Sequence, residues 1–586
     1  MSLTLLALGI VALLSAGYVL YGSFIARQYA LDDRRDTPAV LRNDGVDFVP
    51  ERPFYLMAQH FSAIAAAGPI AGPILACLAF GWLPCLLWIA VGVVFIGAVH
   101  DFSALVASVR HGAHSIAEIA KQNLGKRAGI ALVWFIWIAL LYVIIAFTQI
   151  TASSFVGAAE EFEGLATPFN KGGAVAAASV LYLGLALLLG VTQRMFRPPL
   201  WLVTALFVPA TLGCVWLGTK VDGVLVLDLK WWFVIILAYC LVASMLPMWL
   251  LQQPRGYLGG FVLYLALAVG LFGVLFGGYA VNQPAISANA WRMLDPVPVL
   301  AGAEGAPPID RGLLVPFLFV TIACGACSGF HGLICGGSTS RQVARESHCT
   351  PIGFGAMLLE GFVAVISLAT VMMLTPEQAA GQPPARIYGD GLARFLTLLL
   401  GKDAFVFCAT FGAMAFSTFV FDTLDVSTRL GRYLLQELFG TTSRAAGALA
   451  SGATAGIPLA VLLAADPKSY QLFWTLFGTS NQLLASLTLL GVTVWLYRQR
   501  KRIWYTLIPM IFVMSITVLA LLIQIWTGLR DAARGAWRTP TGDFNPTILN
   551  AGVALALLLL AVVFVREALV VVAALRAERR DAQAVP

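Results

Sequence analysis

The chain alternates between long runs of apolar residues and short segments that hold most of its charges. About 20 residues of α-helix, at about 1.5 Å rise per residue, cross the hydrocarbon core of a bilayer. Fifteen runs approach or exceed that length, so the pattern predicts an all-α polytopic membrane protein with about 15 transmembrane helices. The predicted spans cover approximately residues 3–26, 57–80, 83–108, 128–156, 174–192, 199–218, 231–252, 257–280, 312–338, 352–375, 403–428, 446–464, 470–497, 504–527 and 547–573.

Two of these runs carry helix breakers near their middle. Residues 60–80 read HFSAIAAAGPIAGPILACLAF, and residues 316–339 read PFLFVTIACGACSGFHGLICGGST. A break in lipid leaves backbone groups unpaired, so it persists only where protein or a wet cavity covers it. Two interrupted spans in corresponding positions predict the binding site of a secondary transporter. The alternative is that these small residues only allow helices to pack closely.

On the first interpretation, the residues at the breaks line a substrate cavity near the bilayer midplane. The free N–H groups of one half-helix would attract an anion such as a carboxylate, and the free C=O groups of the other would attract a cation. The predicted substrate-binding residues are Gly68, Pro69, Gly72, Pro73, Ser328, Gly329, Phe330 and His331.

Lysine and arginine are in excess in alternate loops, which favours an N-terminus outside and a C-terminus inside. Under that topology the two broken spans run in opposite directions, as an inverted repeat requires. The predicted organisation is therefore two inverted five-helix repeats, each with a broken first helix, plus extra helices. It comprises an N-terminal span and loop (1–56), a first repeat (57–218), an inserted helix pair with an external loop (219–311), a second repeat (312–497) and two C-terminal spans with a short tail (498–586).

Several ionisable residues lie inside the predicted spans, where such residues are by default functional candidates. Glu360 lies about eight residues into its span, and His60 and His331 each lie in a broken span. A buried carboxylate either pairs or takes up a proton, and imidazole is the natural proton switch near neutral pH. These three residues are candidates for proton coupling, with a structural ion pair or core histidine as the alternative. His100-Asp101 is interpreted as a structural cap or ion pair at the inside end of its span.

Residues 421–431, FDTLDVSTRLG, place Asp422, Asp425 and Arg429 on one helical face. The two aspartates are further coupling candidates, and a simple Asp425–Arg429 pair at i, i+4 is the alternative. Ser417 and Thr418, one turn earlier, could join carbonyls of the first broken span in a hard oxygen site for Na⁺. We expect coupling to H⁺ in preference to Na⁺. The adjacent amides at 481–482 predict contacts between helices.

Composition narrows the class of protein. The chain is 59% hydrophobic and 11% charged, which excludes an ordinary soluble protein, and the net charge of +7 comes from short loops rather than from a nucleic-acid-binding surface. The sequence contains no Gly-x-x-x-x-Gly-Lys phosphate-binding loop, so it gives no support for ATP-driven pumping. Histidine and cysteine spacings match no zinc pattern, so neither a metal nor another cofactor is expected, and no enzyme activity is predicted. The partners expected are a small-molecule substrate and the lipid bilayer, and the sequence leaves the oligomeric state open.

Two other functions compete with a transporter. A channel would be expected to show a ring of charges or a filter loop. A membrane-embedded nutrient sensor or enzyme would bind its ligand without moving it.

The chain resembles the carbon starvation protein A family. The matching stretches include QHFSAIAAAGPIAGPILA, HDFSALVASVRHGAHSIAE, LPMWLLQQPRGYL, FDTLDVSTRLGRYLLQE and LFGTSNQLLA, within residues 52–490. The resemblance implies a transporter of the bacterial inner membrane that takes up short peptides or pyruvate under nutrient limitation. It also implies the fold of the amino acid-polyamine-organocation superfamily, which has two inverted five-helix units.

Overall fold

The computed structural model describes residues 2–44, 48–65, 67–157, 159–160, 168–287, 313–441, 443–466, 470–539 and 542–584. The described chain is helical apart from one short hairpin, β1 (Ala159–Glu160) with β2 (Phe169–Asn170). In chain order the main helices are α1 (Leu3–Tyr29), α2 (Pro53–Ile64), α3 (Gly68–Phe80), α4 (Trp82–Arg110), α5 (Ile116–Leu124), α6 (Lys126–Phe155), α7 (Lys171–Phe196), α8 (Leu200–Gly218), α9 (Leu229–Met245), α10 (Gln252–Phe276), α11 (Leu314–Thr321), α12 (Gly329–Gly337), α13 (Glu346–Met372), α14 (Pro384–Leu400), α15 (Phe405–Phe439), α16 (Arg444–Ala464), α17 (Tyr470–Arg498), α18 (Trp504–Ala533) and α19 (Pro546–Ala584).

The structure confirms an all-α protein with many membrane-spanning helices. In the described part of the chain, 11 helices are long and apolar enough to cross a bilayer, or 12 when α2 and α3, bent by 45° at their junction, count as one span. Each predicted run coincides with one helix or one interrupted pair. The total of about 15 spans stays a prediction, and most of the predicted external loop (288–311) lies outside the described residues.

The sequence pattern did not predict α5 and α14. α14 packs against α10, α13 and α15, so it belongs to the helical core. Arg386, Asp390 and Arg394 interrupt its apolar positions, which cluster on one face at helical spacing instead of forming a continuous run. A search for long apolar runs therefore passes over this helix.

Both broken spans are interrupted near predicted breakers, and the two interruptions pack against each other, although Gly72 and Pro73 lie inside α3 and do not break it. The first separates α2 from α3, which begins at Gly68 with Pro69 as its next residue, where the missing N–H of proline costs nothing. The second is the non-helical segment 322–328 between α11 and α12. A β-carbon at Gly72 would lie 2.6 Å from the carbonyl oxygen of Thr321, and one at Gly68 would collide with Cys324. Glycine at both positions is what lets the two breaks approach this closely.

Helix packing is reciprocal, as an inverted repeat would produce. The contact of α13 with α3 corresponds to that of α4 with α12. The contact of α2 with α10 corresponds to that of α11 with α17. α6 and α15 pack against each other. The predicted inserted pair corresponds to α9 and α10, and it stays a prediction. The division of the chain into repeats stays a prediction.

Candidate functional site

The central feature is a buried histidine held between two carboxylates. His331 Nδ1 lies 2.7 Å from Asp101 Oδ2, and His331 Nε2 lies 3.1 Å from Glu360 Oε2. All three side chains are fully buried. They come from α12, α4 and α13, so this cluster joins a broken helix to two neighbouring spans. We call these three residues the His331 cluster.

Local structure fixes the position of His331 just after the second break. It is the third residue of α12, and the backbone N–H of Phe330 donates to Asn481 Oδ1 at 2.9 Å. A β-carbon at Gly329 would meet backbone atoms of α17. The start of α12 is therefore seated directly on α17, and the imidazole is held at a defined place.

His100 contacts the Asp101 carboxylate of the His331 cluster. Its Nδ1 lies 2.7 Å from Asp101 Oδ1, and both side chains are fully buried. With His331 on Oδ2, both oxygens of the Asp101 carboxylate are engaged by imidazoles. The prediction that His100-Asp101 pairs is confirmed. Its predicted place at the end of the span is wrong, because α4 continues for two more turns to Arg110.

When both carboxylates are ionised, His331 is an imidazolium and His100 is neutral, the His331 cluster carries one net negative charge. Among the described residues no lysine or arginine forms an ion pair with Asp101 or Glu360. Glu360 Oε1 and Oε2 are both buried without a well-aligned hydrogen bond, so the 3.1 Å approach of Oε2 to His331 Nε2 is a charge contact. An uncompensated charge in a dry site is costly, and an added proton removes it. The cluster is therefore chemically suited to take up one proton, shared among its members.

Polar side chains satisfy the free backbone groups at the second break. The indole N–H of Trp88 donates to Ile322 O at 3.2 Å, and that of Trp474 donates to Thr321 O at 3.3 Å. The Gln482 amide donates to Phe319 O at 2.8 Å. The contacts between helices that the sequence predicts for the amides at 481–482 are therefore present.

Fewer side chains form hydrogen bonds to the backbone at the first break. The hydroxyl of Ser367 donates to Ile70 O at 2.5 Å, just inside α3. His60, one turn before the end of α2, is 1% exposed, and its Nδ1 lies 2.9 Å from Thr339 Oγ1. The glycines and prolines predicted to bind substrate in α3 are all buried. Gly68, Pro69 and Gly72 lie against the second break.

A second buried ionic group surrounds Arg255, near the start of α10. Its Nε lies 3.3 Å from Asp422 Oδ1, and its Nη1 donates to Asp425. The Tyr239 hydroxyl donates to Asp425 Oδ2 at 2.7 Å, and the guanidinium carbon lies 5.2 Å from the Phe421 ring centre. The structure thus brings together both predicted aspartates with an arginine and a tyrosine that sequence reasoning did not single out.

The alternative pairing of Asp425 with Arg429 is wrong. Arg429 instead donates to the carbonyls of Ala243 and Leu246, at 2.7 and 2.8 Å, at the end of α9. Arg429 makes no ion pair with either aspartate, but it acts electrostatically on Asp425, so two arginines and two aspartates balance each other in charge. We call these four residues the Arg255 network.

The two hydroxyls predicted for Na⁺ lie in α15 near this network. Ser417 Oγ donates to Met414 O at 2.9 Å and lies 3.1 Å from Ser179 Oγ. Thr418 Oγ1 is buried without a hydrogen-bond partner, while its carbonyl accepts from Arg255 Nη2 at 3.4 Å. Across the described residues, no three His, Cys, Asp or Glu side chains are arranged to hold a metal ion.

Comparisons with known proteins agree with this membrane architecture. The family model described as "Carbon starvation protein CstA" matches residues 1–387 and 377–520. "Peptide transporter CstA" of Campylobacter jejuni is 30% identical, over 88% of this chain and 79% of its own. "Pyruvate/proton symporter BtsT" of Escherichia coli is 29% identical, over 87% of this chain and 80% of its own. "Peptide transporter CstA" of Bacillus subtilis is 32% identical, over 85% of this chain and 87% of its own.

Solved structures give weaker likenesses. MhsT in complex with L-phenylalanine aligns with 80% of this chain and 98% of its own, at 11% identity and a TM-score of 0.45. An Eremococcus coleocola manganese transporter aligns with 90% of this chain and 98% of its own, at 13% identity and a TM-score of 0.44. The family match covers well over half of the chain. This multi-pass membrane protein belongs to the carbon starvation protein CstA family.

Proposed function

We propose that this protein is a proton-coupled secondary transporter that takes up a small carboxylate such as pyruvate, or short peptides. The observation that carries the proposal is the uncompensated His331 cluster, buried beside the junction of two broken helices. The names of three relatives as peptide transporters or a pyruvate/proton symporter support it.

The charge balance of the two buried ionic groups decides between the candidate proton sites. In the Arg255 network, two arginines compensate two aspartates, so an extra proton would create an uncompensated charge. In the His331 cluster, an extra proton removes one. We therefore assign proton coupling to His331, Glu360 and Asp101, and treat Asp422 and Asp425 as members of a closed ion network.

The substrate would bind where the two breaks meet. Separation of α3 from segment 322–328 would expose backbone groups of both half-helices, and the positive end of a half-helix dipole favours a carboxylate. The residues proposed to line that space are Gly68, Pro69, Gly72, Pro73, Ser328, Gly329 and Phe330. His331, at its edge, would let the proton site sense whether substrate is present.

The test is uptake by the full-length protein in liposomes that contain a pH-sensitive dye. Labelled pyruvate and labelled dialanine are offered separately, with a pH gradient alone, a Na⁺ gradient alone, or neither. We expect one of the two substrates to accumulate against its gradient when the outside is acidic, together with acidification of the lumen. Accumulation driven by Na⁺ alone would refute proton coupling and move attention to Ser417 and Thr418.

The same assay separates the competing functions. A channel would bring the solute only to equal concentrations, whatever the gradient. A sensor or enzyme would move none, although it could still bind pyruvate or dialanine and so raise the apparent thermal stability of the protein.

A further inference from the structure

An apolar groove lies between α17, α18 and α19. Its volume is about 200 Å³, and every side chain that lines it is apolar except that of Ser515. Leu490 lines it from α17, Ile511 from α18 and Leu569 from α19. Ile511 is 53% exposed and Leu569 is 64% exposed, so the groove opens outward from the helical bundle. Because these helices are long and apolar enough to span a bilayer, the groove faces lipid acyl chains. We call it the C-terminal groove.

Basic residues collect at the end of the three helices that lies nearest to this groove. Residues 498–502, between α17 and α18, carry four positive charges and no negative one, and residues 576–581 of α19 carry three arginines and two acidic residues. The two segments meet, because Arg579 Nη2 donates to Tyr497 O at 2.6 Å and its guanidinium carbon lies 4.0 Å from the Tyr497 ring centre. Segments 498–502 and 576–581 therefore form one basic patch.

On α19 the groove leads directly to the basic patch. Val565, Ala568 and Val572 line the groove at helical spacings of three and four, and Arg576 and Arg579 continue the same row. Arg576 follows Val572 by one helical turn, which is about 6 Å along the axis. The headgroup layer of one leaflet is about 5–7 Å thick. Arg576 thus lies at the height of a lipid phosphate when the groove holds the upper part of an acyl chain.

Trp504 marks the same height on α18. It is the first residue of that helix and is 43% exposed, and tryptophan is enriched where the bilayer meets water. Met510 is the groove residue of α18 nearest to it in sequence and lies about 9 Å further along the axis. Both helices therefore carry interfacial residues less than two turns from the groove, so the groove lies at the edge of the hydrocarbon region.

The arginines of the basic patch have charge available for a ligand. Arg498, Arg502 and Arg576 are exposed, and in the part of the chain that the structure describes none of them forms an ion pair with a carboxylate. Membrane topology alone accounts for basic residues at an inside end. It does not account for an apolar groove that opens to lipid and runs up to them.

We propose that the C-terminal groove and the basic patch together bind one anionic phospholipid of the inner leaflet. An acyl chain lies in the groove, and the arginines of the patch hold the phosphate. On the topology predicted from Lys and Arg, this end of the helices faces the cell interior, where basic pockets between membrane helices suit anionic head groups. The site is separate from the proposed transport site and does not depend on it. α17 and α18 both pack against α11, so a bound lipid would stabilise the helices that hold the second broken span.

The test measures lipid binding to the purified full-length protein by native mass spectrometry. Phosphatidylglycerol and phosphatidylcholine with the same acyl chains are titrated separately, and we expect one phosphatidylglycerol to bind about tenfold more tightly. Arg498→Gln/Arg576→Gln should weaken phosphatidylglycerol binding by about thirtyfold, because two charges near the phosphate are lost. Arg197→Gln/Arg444→Gln is the matched control, since it removes two exposed charges elsewhere on the predicted inside surface and should leave binding unchanged.

A second variant fills the groove and leaves the basic patch intact. Ser515→Phe places a ring among the lining side chains and should weaken phosphatidylglycerol binding by about tenfold, because the acyl chain loses its contacts with the helices. Leu206→Phe, at a position of α8 that is 60% exposed, is its control. Thermal unfolding in phosphatidylcholine should be the same for all variants, since each changes an exposed side chain.

Three results would overturn the proposal. The first is equal binding of the two lipids by the wild-type protein. The second is wild-type binding of phosphatidylglycerol by either the charge variant or the groove variant. The third is an equal loss of binding in the control arginine pair, which would show a diffuse attraction of charge and no defined site.

Discussion

Asp101 Oδ2 and His331 Nδ1 lie 2.7 Å apart, although 230 positions of chain separate the two residues. The pair joins α4 to α12, and His331 in turn reaches Glu360 of α13. Any movement of the second broken helix therefore changes the surroundings of both carboxylates. That connection is how a change of shape could alter the binding of a proton.

Replacing Glu360 should separate transport from coupling. Glu360→Gln fixes a neutral group at the cluster, so the site no longer gains from an added proton. We expect substrate exchange to continue while uptake driven by a pH gradient falls by about tenfold or more. Glu377→Gln, in the exposed turn at 376–379, is the control. Full proton-driven uptake by Glu360→Gln would remove this residue from the mechanism.

Asp101 should matter more for folding than Glu360 does. Both of its oxygens accept from imidazoles, whereas Glu360 Oε1 has no partner. Asp101→Leu would leave two buried rings without their acceptor, and breaking a buried pair in this way costs about 3–5 kcal/mol. The measurement is equilibrium unfolding in mixed micelles of increasing SDS content, with Glu360→Leu measured in parallel and Asp403→Leu, at an exposed turn, as the control. Equal stability of Asp101→Leu and Glu360→Leu would contradict this ranking.

Glycine at position 329 is expected to be essential for the seating of α12. A β-carbon there would meet the carbonyl oxygen of Asn481 and would lie 2.5 Å from the backbone nitrogen of Ala485. Because backbone cannot move aside as a flexible side chain can, Gly329→Ala should destabilise the protein by about 1–3 kcal/mol and abolish transport. Gly452→Ala is the matched control, since a β-carbon at Gly452 meets nothing within 4 Å. Normal uptake by Gly329→Ala would show that this contact tolerates adjustment.

The Arg255 network should behave as a coupled structural unit. Arg255→Met leaves Asp422 and Asp425 without their shared partner. The double variant Arg255→Met/Asp425→Asn should therefore lose less unfolding free energy than the sum of the losses in the two single variants. We expect a coupling energy of about 0.5–3 kcal/mol from the double-mutant cycle in SDS unfolding. The exposed pair Lys121–Glu118 provides the comparison, where about 0–1 kcal/mol is expected. Additive effects at Arg255 and Asp425 would contradict the network.

The sequence predicted the parts of this architecture that depend on local chemistry. Apolar length located the spans, and helix breakers located both breaks (glycine-proline pairs in the first, glycines in the second), because these features act within one stretch of chain. His331 and Glu360 were recognised since an ionisable residue in an apolar run is conspicuous. Asp101 was taken for an end cap because it follows a long apolar run. The mostly apolar residues from Ala104 to Val109, which the predicted span 83–108 largely includes, were the signal that the helix continues beyond Asp101.

Partners distant in sequence could not be found in this way. The i, i+4 rule favoured Arg429 for Asp425, but the guanidinium that binds the carboxylate comes from Arg255, 170 positions away. Nothing in spacing or composition shows which of several buried cations a carboxylate meets. That choice depends on how α10 packs against α15, which is a property of the whole fold.

The two indoles bonded to the end of α11 have a spectroscopic consequence. Trp88 and Trp474 hold the carbonyls of Ile322 and Thr321, and both side chains are buried. If the second break opens during transport, the indole N–H groups lose their hydrogen bonds to these carbonyls and bond water instead. Their fluorescence emission then shifts to longer wavelength. In a variant in which the other tryptophans are replaced by phenylalanine, the protein would report its own conformational cycle in real time, without an attached dye.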